Sequence, residues 1–146
     1  MPFKQNLIQL RGDDLFKALA SDKMTQAAVE ALWLAAQIWV SSGGKVSINR
    51  FLRLPTTGPA LTRAGRDFWL RRAAEGLPQA TKYALAYALQ KELENFMTRG
   101  PWSIWKHSNH PPPEASELRK ALFHVVKFSH EKLIEQRQIY RILSES

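Results

Sequence analysis

Residues 25–44 read TQAAVEALWLAAQIWVSSGG, and this stretch decides the fold class. Its first part is a run of Ala, Leu, Val, Ile and Trp that is apolar on most faces of a helix, which is typical of a helix at the centre of a bundle. Asp22 or Thr25 can cap its first turn, because a side-chain oxygen there accepts a hydrogen bond from a free backbone amide. Residues 41–44 end it, since glycine readily adopts the left-handed conformation of a helix C-terminus.

The rest of the chain also favours helices, because apolar residues recur every three or four positions. The further predicted helices begin near Gly12 and cover a short segment after Ser47, residues 62–76, residues 78–100, a turn at Trp102 and residues 114–143. Only residues 45–54 could also fit a short strand. The sequence therefore predicts an all-α protein, a compact helical bundle of five to seven helices with a long C-terminal helix.

Length and composition predict one domain over residues 1–146, with the three prolines 111–113 as the one place where it could be subdivided. The chain has no cysteine, so it can form neither a disulfide nor a thiolate metal site. No apolar run is long enough to span a bilayer, and the first residues lack the apolar core of a secretory signal. We therefore expect a cytoplasmic protein that does not bind membranes.

The net charge of +8 is concentrated in one part of the chain. Residues 45–72 carry a net charge of +6, with Asp67 as their only acidic residue. The cations of this stretch are Lys45, Arg50, Arg53, Arg63, Arg66, Arg71 and Arg72. Most are arginines, whose planar guanidinium group suits phosphate better than the ammonium group of lysine. The concentration favours binding to nucleic acid over a merely solvated basic surface.

We expect the phosphate contacts to come from a subset of these cations, with Lys45 and Arg72 as secondary candidates. The primary candidates are Arg50, Arg53, Arg63, Arg66 and Arg71. A helical wheel places Arg72 near the apolar side of its helix, where it could be partly buried. A helix followed by SSGG and a second helix also resembles a helix-turn-helix, in which Ser47, Asn49, Arg50 and Arg53 would face the major groove.

The sequence offers little for catalysis. Residues 42–45 resemble a phosphate-binding loop only faintly, because Val46 occupies the position where that motif requires serine or threonine. His107 and His110 lack further metal ligands nearby. No nucleophile and base stand at a diagnostic spacing. We therefore expect no enzymatic activity, no cofactor and no metal.

Five tryptophans call for separate interpretation. Trp33, Trp39 and Trp69 lie in helices that are predicted to pack in the core. Trp102 and Trp105 stand in a short, proline-bounded segment close to cationic residues, where they could stack on bases or dock on a partner. The alternative is a local hydrophobic clamp that closes the bundle.

In length, helical content and the arginine cluster from Arg50 to Arg71, the chain resembles the small, all-helical, non-catalytic subunits of CRISPR–Cas effector complexes. The resemblance implies a subunit of a ribonucleoprotein complex in antiviral defence, which holds a target or displaced nucleic-acid strand through arginine–phosphate contacts. It also implies other protein subunits, or further copies of the same chain, as partners. Two alternatives stay open: a protein-interaction module that docks through its C-terminal helix, and a helix-turn-helix regulator that binds DNA.

Overall fold

The computed structural model describes residues 13–20, 25–55 and 57–145 of the chain. These residues form eight helices and no strand, which confirms the predicted all-α class. In chain order the helices are α1 (Asp13–Ala20), α2 (Gln26–Ser41), α3 (Ile48–Leu52), α4 (Gly58–Glu75), α5 (Lys82–Thr98), α6 (Trp102–Trp105), α7 (Glu117–Phe128) and α8 (Gln136–Ser144). The number exceeds the expected maximum of seven because the predicted C-terminal helix is divided in two.

The prediction of one long helix over residues 114–143 is wrong. α7 ends at Phe128, and His130 and Glu131 follow with left-handed backbone conformations, at φ angles of 54° and 64°. Two consecutive left-handed residues cannot continue a right-handed helix, so the chain turns before α8 begins. Ile134 lies within this turn and is only 4% exposed, so the turn itself contributes to the core.

The contacts within the chain divide it into two compact units, Met1–Leu61 and Thr62–Ser146. The sequence led us to expect a single domain over residues 1–146, with its possible subdivision at prolines 111–113. That expectation stays a prediction. The boundary between the two compact units falls one turn into α4. Each unit has its own group of buried apolar side chains.

In the first unit, α2 packs against α1 and α3 through a face of small side chains. Ala28, Ala31 and Ala35 form this face and are at most 1% exposed. Leu15 of α1 and Leu52 of α3 complete the buried group. Because alanine side chains are short, the three helices can approach closely, and Leu32 and Leu34 of α2 pack partly buried against the same group.

The structure contradicts the expectation that Trp33 and Trp39 lie in the core. Their side chains are 60% and 46% exposed, and Val29 and Val40 on the same helix are also exposed. α2 is therefore buried on one face only, although its sequence is apolar nearly all round. Trp69, in contrast, packs partly buried against the core of the second unit, stacked on His124 with 4.2 Å between the ring centroids.

The second unit is built from α4, α5, α7 and α8, with α8 packed along α5. Each of these helices contributes fully buried side chains to one core. The largest of them are Leu70, Leu89, Leu93, Leu122, Phe123, Ile139 and Ile142. Most apolar residues of the predicted C-terminal helix therefore pack within this unit, whereas Leu133 and Tyr140 are exposed.

The predicted cap of α2 is confirmed at Thr25, whose hydroxyl oxygen accepts a hydrogen bond from the amide of Ala28 at 3.1 Å. The alternative cap, Asp22, lies outside the described residues. Ser47 occupies the cap position of α3, but its side chain makes no capping hydrogen bond. The helix predicted over residues 62–76 begins earlier, at Gly58.

Gly65 of α4 lies against the ring of Phe128 in α7. A Cβ atom at position 65 would come within 2.5 Å of Cε1 and 2.6 Å of Cζ of that ring. We expect Gly65→Ala to lower the free energy of unfolding by about 1–3 kcal/mol, because overpacking outweighs the better helix propensity of alanine. Thermal denaturation followed by circular dichroism measures this change.

The matched control is Gly58→Ala at the start of the same helix. A Cβ atom there would have no neighbouring atom within 4 Å. This variant should lose less stability than Gly65→Ala, because only the preference of a residue before proline for extended backbone opposes the better helix propensity of alanine. If both variants lose the same stability, the close packing of Gly65 on Phe128 is not what the substitution disturbs.

Candidate nucleic-acid interface

The turn after α2 brings Lys45 to the surface. Gly43 and Gly44 have φ angles of 66° and 82°, and the amide of Gly43 donates a hydrogen bond to the carbonyl oxygen of Val40 at 3.0 Å. The predicted glycine stop of α2 is therefore confirmed. Lys45, the next residue, is exposed. The four residues 42–45 thus form a helix terminus.

α3 turns its polar side to solvent. Leu52 is fully buried in the first unit, and Ile48 and Phe51 pack partly buried against the same group. These positions lie within about 100° of one another on a helical wheel. The remaining side chains of the helix, Asn49 and Arg50, point away from that contact and are exposed.

Arg53 follows α3 in a left-handed conformation, with φ 57° and ψ 34°. Its amide donates a hydrogen bond to the carbonyl oxygen of Arg50 at 3.2 Å, and the amide of Leu54 donates to that of Asn49 at 3.0 Å. A glycine usually occupies such a position, because a Cβ atom makes the left-handed conformation costly. The side chain of Arg53 is exposed.

Lys45, Arg50 and Arg53 together form what we call the basic segment. Among the described residues, none makes an ion pair or a side-chain hydrogen bond with any of the three. The sequence explains this, because it contains no acidic residue between Glu30 and Asp67. The basic segment is therefore a group of exposed cations whose charge is not neutralised by a described neighbour.

The other predicted phosphate-binding arginines belong to the second unit, and only some of them are free to bind a phosphate. Arg63 is exposed on α4. Arg66 is paired with its neighbour Asp67, at 2.7 Å from Nη2 to Oδ1 and 2.8 Å from Nε to Oδ1. Both side chains of this pair are less than a quarter exposed. Binding a phosphate at Arg66 would require breaking this close pair.

Arg71 and Arg72 also differ in whether a neighbouring group already holds the guanidinium. Arg71 donates from Nε and Nη2 to the carbonyl oxygen of Ile142, at 3.3 Å and 3.2 Å. It thereby satisfies a carbonyl in the last turn of α8, which has no partner within its own helix. Arg72 is 54% exposed, so it is not buried as its wheel position had indicated, and its 3.8 Å pair with Glu75 is loose.

Trp102 and Trp105 close the core of the second unit. Trp102 is 6% exposed, and its Nε1 donates a hydrogen bond to Oε1 of Glu131 at 3.2 Å. Its ring lies 5.6 Å from that of Phe123, and the ring of Trp105 lies 5.9 Å from that of Phe96, both centroid to centroid. The geometry favours the hydrophobic clamp over the stacking or docking patch, because these rings already pack against aromatic neighbours.

A stripe on α5 was missed by the sequence analysis. Tyr83 and Tyr87 are 68% and 47% exposed, and Nζ of Lys91 lies 4.6 Å from the centroid of the Tyr87 ring. The interaction with the side chain of Tyr87 raises the pKa of Lys91 above its ordinary value. Exposed aromatic rings beside a cation are suited to stacking on unpaired bases. In the sequence, this stripe is indicated by the four-residue spacing of Tyr83, Tyr87 and Lys91 on the side of α5 opposite its apolar face.

Within the part of the chain that the structure describes, no group of three His, Cys, Asp or Glu side chains is placed to hold a metal ion. None of the described helices has both the length and the apolar character needed to cross a bilayer. No protein-family model matches the sequence, and no curated protein or solved structure is significantly similar to it.

The role of Arg71 can be separated from phosphate binding. We expect Arg71→Ala to lower the free energy of unfolding by about 1–2 kcal/mol, because the carbonyl oxygen of Ile142 loses a charged donor. Thermal or denaturant unfolding measures this loss. The neighbouring Arg72→Ala serves as the control and should change stability by less than about 0.5 kcal/mol, since its pair is long and exposed. Equal stabilities of the two variants would contradict a structural role for Arg71.

Proposed function

We propose that this is a non-enzymatic nucleic-acid-binding protein whose basic segment contacts the phosphate backbone. The observation that carries the proposal is the exposure of Lys45, Arg50 and Arg53 without a described acidic partner, in a stretch that lacks carboxylates altogether. Cations that have no ion pair to break give up only hydration when they approach a phosphate. Arg63 is the additional candidate in the second unit, since it is also exposed.

The chemistry of this contact is electrostatic and independent of sequence. Each cation that neutralises a phosphate releases a condensed counterion, so affinity falls as salt rises. Three contacts give a slope of log K against log salt of about −2.7 for duplex DNA and about −2.1 for a single strand. Arg50 and Arg53 can each hold two phosphate oxygens, which strengthens and orients the contact.

The shape of α3 favours phosphate contacts over reading of the major groove. The helix has only five residues and is therefore about 7.5 Å long. A recognition helix presents several side chains to base edges, whereas only Asn49 and Arg50 point outward here. The helix-turn-helix alternative is therefore less well supported than backbone binding.

The alternative of docking through the C-terminal helix has less support as well. Ile139, Ile142 and Leu143 of α8 are at most 6% exposed, because they pack in the core of the second unit. The apolar face that such docking would require is therefore already used. Membership of a ribonucleoprotein effector complex, which the resemblance to small CRISPR–Cas subunits implies, stays a prediction.

Charge reversal tests the proposed contact. Arg50→Glu combined with Arg53→Glu should weaken binding of unrelated oligonucleotides by at least about tenfold, and should reduce the salt slope by about 1.4–1.8. Fluorescence anisotropy of labelled single- and double-stranded oligonucleotides, titrated at several salt concentrations, measures both. The control is Arg119→Glu with Arg137→Glu, two exposed arginines of the second unit that give the same change in net charge. Equal losses in both double variants would show that total charge matters and that the basic segment does not.

A single substitution removes one of these charges without disturbing the fold. Arg53→Gly should keep or slightly raise the melting temperature, because glycine adopts the left-handed conformation at position 53 without strain. The same variant should reduce the salt slope by about 0.7–0.9, the contribution of one phosphate contact. An unchanged slope in a protein of full stability would remove Arg53 from the interface.

A further inference from the structure

The outer face of α2 is a stripe of exposed apolar side chains. Val29, Trp33 and Val40 are 46%, 60% and 69% exposed. Together with the half-buried Ala36 they lie within about 60° on a helical wheel, opposite the buried alanine face of the same helix. Large apolar side chains in a contiguous stripe on a surface mark an interaction site, whereas scattered ones do not.

The charges around this stripe indicate what kind of partner covers it. Glu30 is the only charged residue in residues 25–44, although the whole chain has a net charge of +8. A polyanion finds no cation to pair with on this face. Two copies of a basic protein, in contrast, repel each other least where neither copy brings cations to the contact. The occupant that fits both conditions is a second copy of this chain.

The spacing of the stripe is self-complementary. When two α2 helices pack antiparallel about a two-fold axis between Leu34 and Ala35, Val29 lies opposite Val40 of the partner subunit. Trp33 then lies opposite the partner's Ala36, so that a large side chain meets a small one. A two-fold interface requires this reciprocity, since each contact must occur twice. We propose that the chain forms an antiparallel dimer through Val29, Trp33, Ala36 and Val40 on the outer face of α2.

The proposed dimer is weak and leaves the basic segment free. One helix face per subunit gives an interface at or below about 1,200 Å² in total, the size class of transient complexes. α3 packs on the alanine side of α2, away from the stripe. The proposal is therefore independent of the proposed function, and either one can fail alone.

Sedimentation equilibrium over a range of protein concentrations tests the dimer. The parent protein should show a reversible monomer–dimer equilibrium, and Trp33→Glu should raise its dissociation constant by at least about tenfold. The control is Ile104→Glu, because Ile104 is 76% exposed but belongs to the other unit. Circular dichroism checks that both variants stay helical. A parent protein that stays monomeric at every concentration would overturn the proposal, as would a dimer that Trp33→Glu leaves intact.

Cysteine cross-linking tests the antiparallel geometry, and the chain suits it because it has no native cysteine. Mixed Val29→Cys and Val40→Cys proteins, one of them tagged, should form a disulfide-linked heterodimer under mild oxidation. Val29→Cys alone should not, because the two equivalent positions lie about 16 Å apart along the helix pair, beyond the roughly 7 Å that a disulfide spans.

Ile104→Cys measures cross-linking by random collision. Efficient linking of Val29→Cys to itself would indicate a parallel pair and overturn the proposed arrangement. A mixed pair that links no faster than the Ile104→Cys control would also overturn it.

Discussion

Three alanines on the buried side of α2 set the distance at which α1 and α3 pack against that helix. Because Ala28, Ala31 and Ala35 are short, Leu15 and Leu52 can pack close to the helix, and both are fully buried. Their burial fixes the rotation of each helix about its own axis. On α3 this rotation directs the polar side to solvent, and on α2 it leaves Val29, Trp33 and Val40 exposed. The basic segment and the apolar stripe are thus two consequences of one packing contact.

Which arginines stay available to a ligand depends on what the fold places beside them. Arg66 has a carboxylate at the next residue, and Arg71 reaches the carbonyl oxygen of Ile142 across the second unit. Arg50 and Arg53 have neither, since no acidic residue lies near them in sequence and the described structure supplies none. Composition gives all these arginines equal weight, but a cation that already has a close partner must lose it before it can bind phosphate. The structure therefore ranks cations that the sequence treats alike.

The sequence predicts local features of this fold better than contacts between distant residues. The Thr25 cap and the glycine stop of α2 depend on neighbouring residues, and both appear where the pattern placed them. The apolar repeat over residues 114–143 is interrupted only by the polar Ser129 and Gln136, and yet the chain breaks after Phe128 and buries Ile134 in the core of the second unit. No local signal reveals that contact.

The tryptophans illustrate a second limit of sequence patterns. Hydropathy assigns Trp33 and Trp102 to the same class, but the first is largely exposed and the second is buried. Trp33 lies on the side of α2 away from its buried alanine face, whereas the ring of Trp102 packs against those of Phe96 and Phe123. Apolar character likewise does not show that Tyr83 and Tyr87 are exposed on α5. Apolar character predicts that a face is covered only when the neighbouring helices have the shape to cover it.

Self-association and phosphate binding are coupled if both occur. A dimer formed through the outer face of α2 carries two basic segments on the sides away from the shared interface, because α3 packs on the alanine side. A nucleic acid long enough to contact both converts the second contact into an intramolecular one and gains affinity without any new interaction. By reciprocity, such a ligand stabilises the dimer by the same free energy. A weak interface then suffices, because the polyanion both neutralises the cations that oppose association and holds the two copies together.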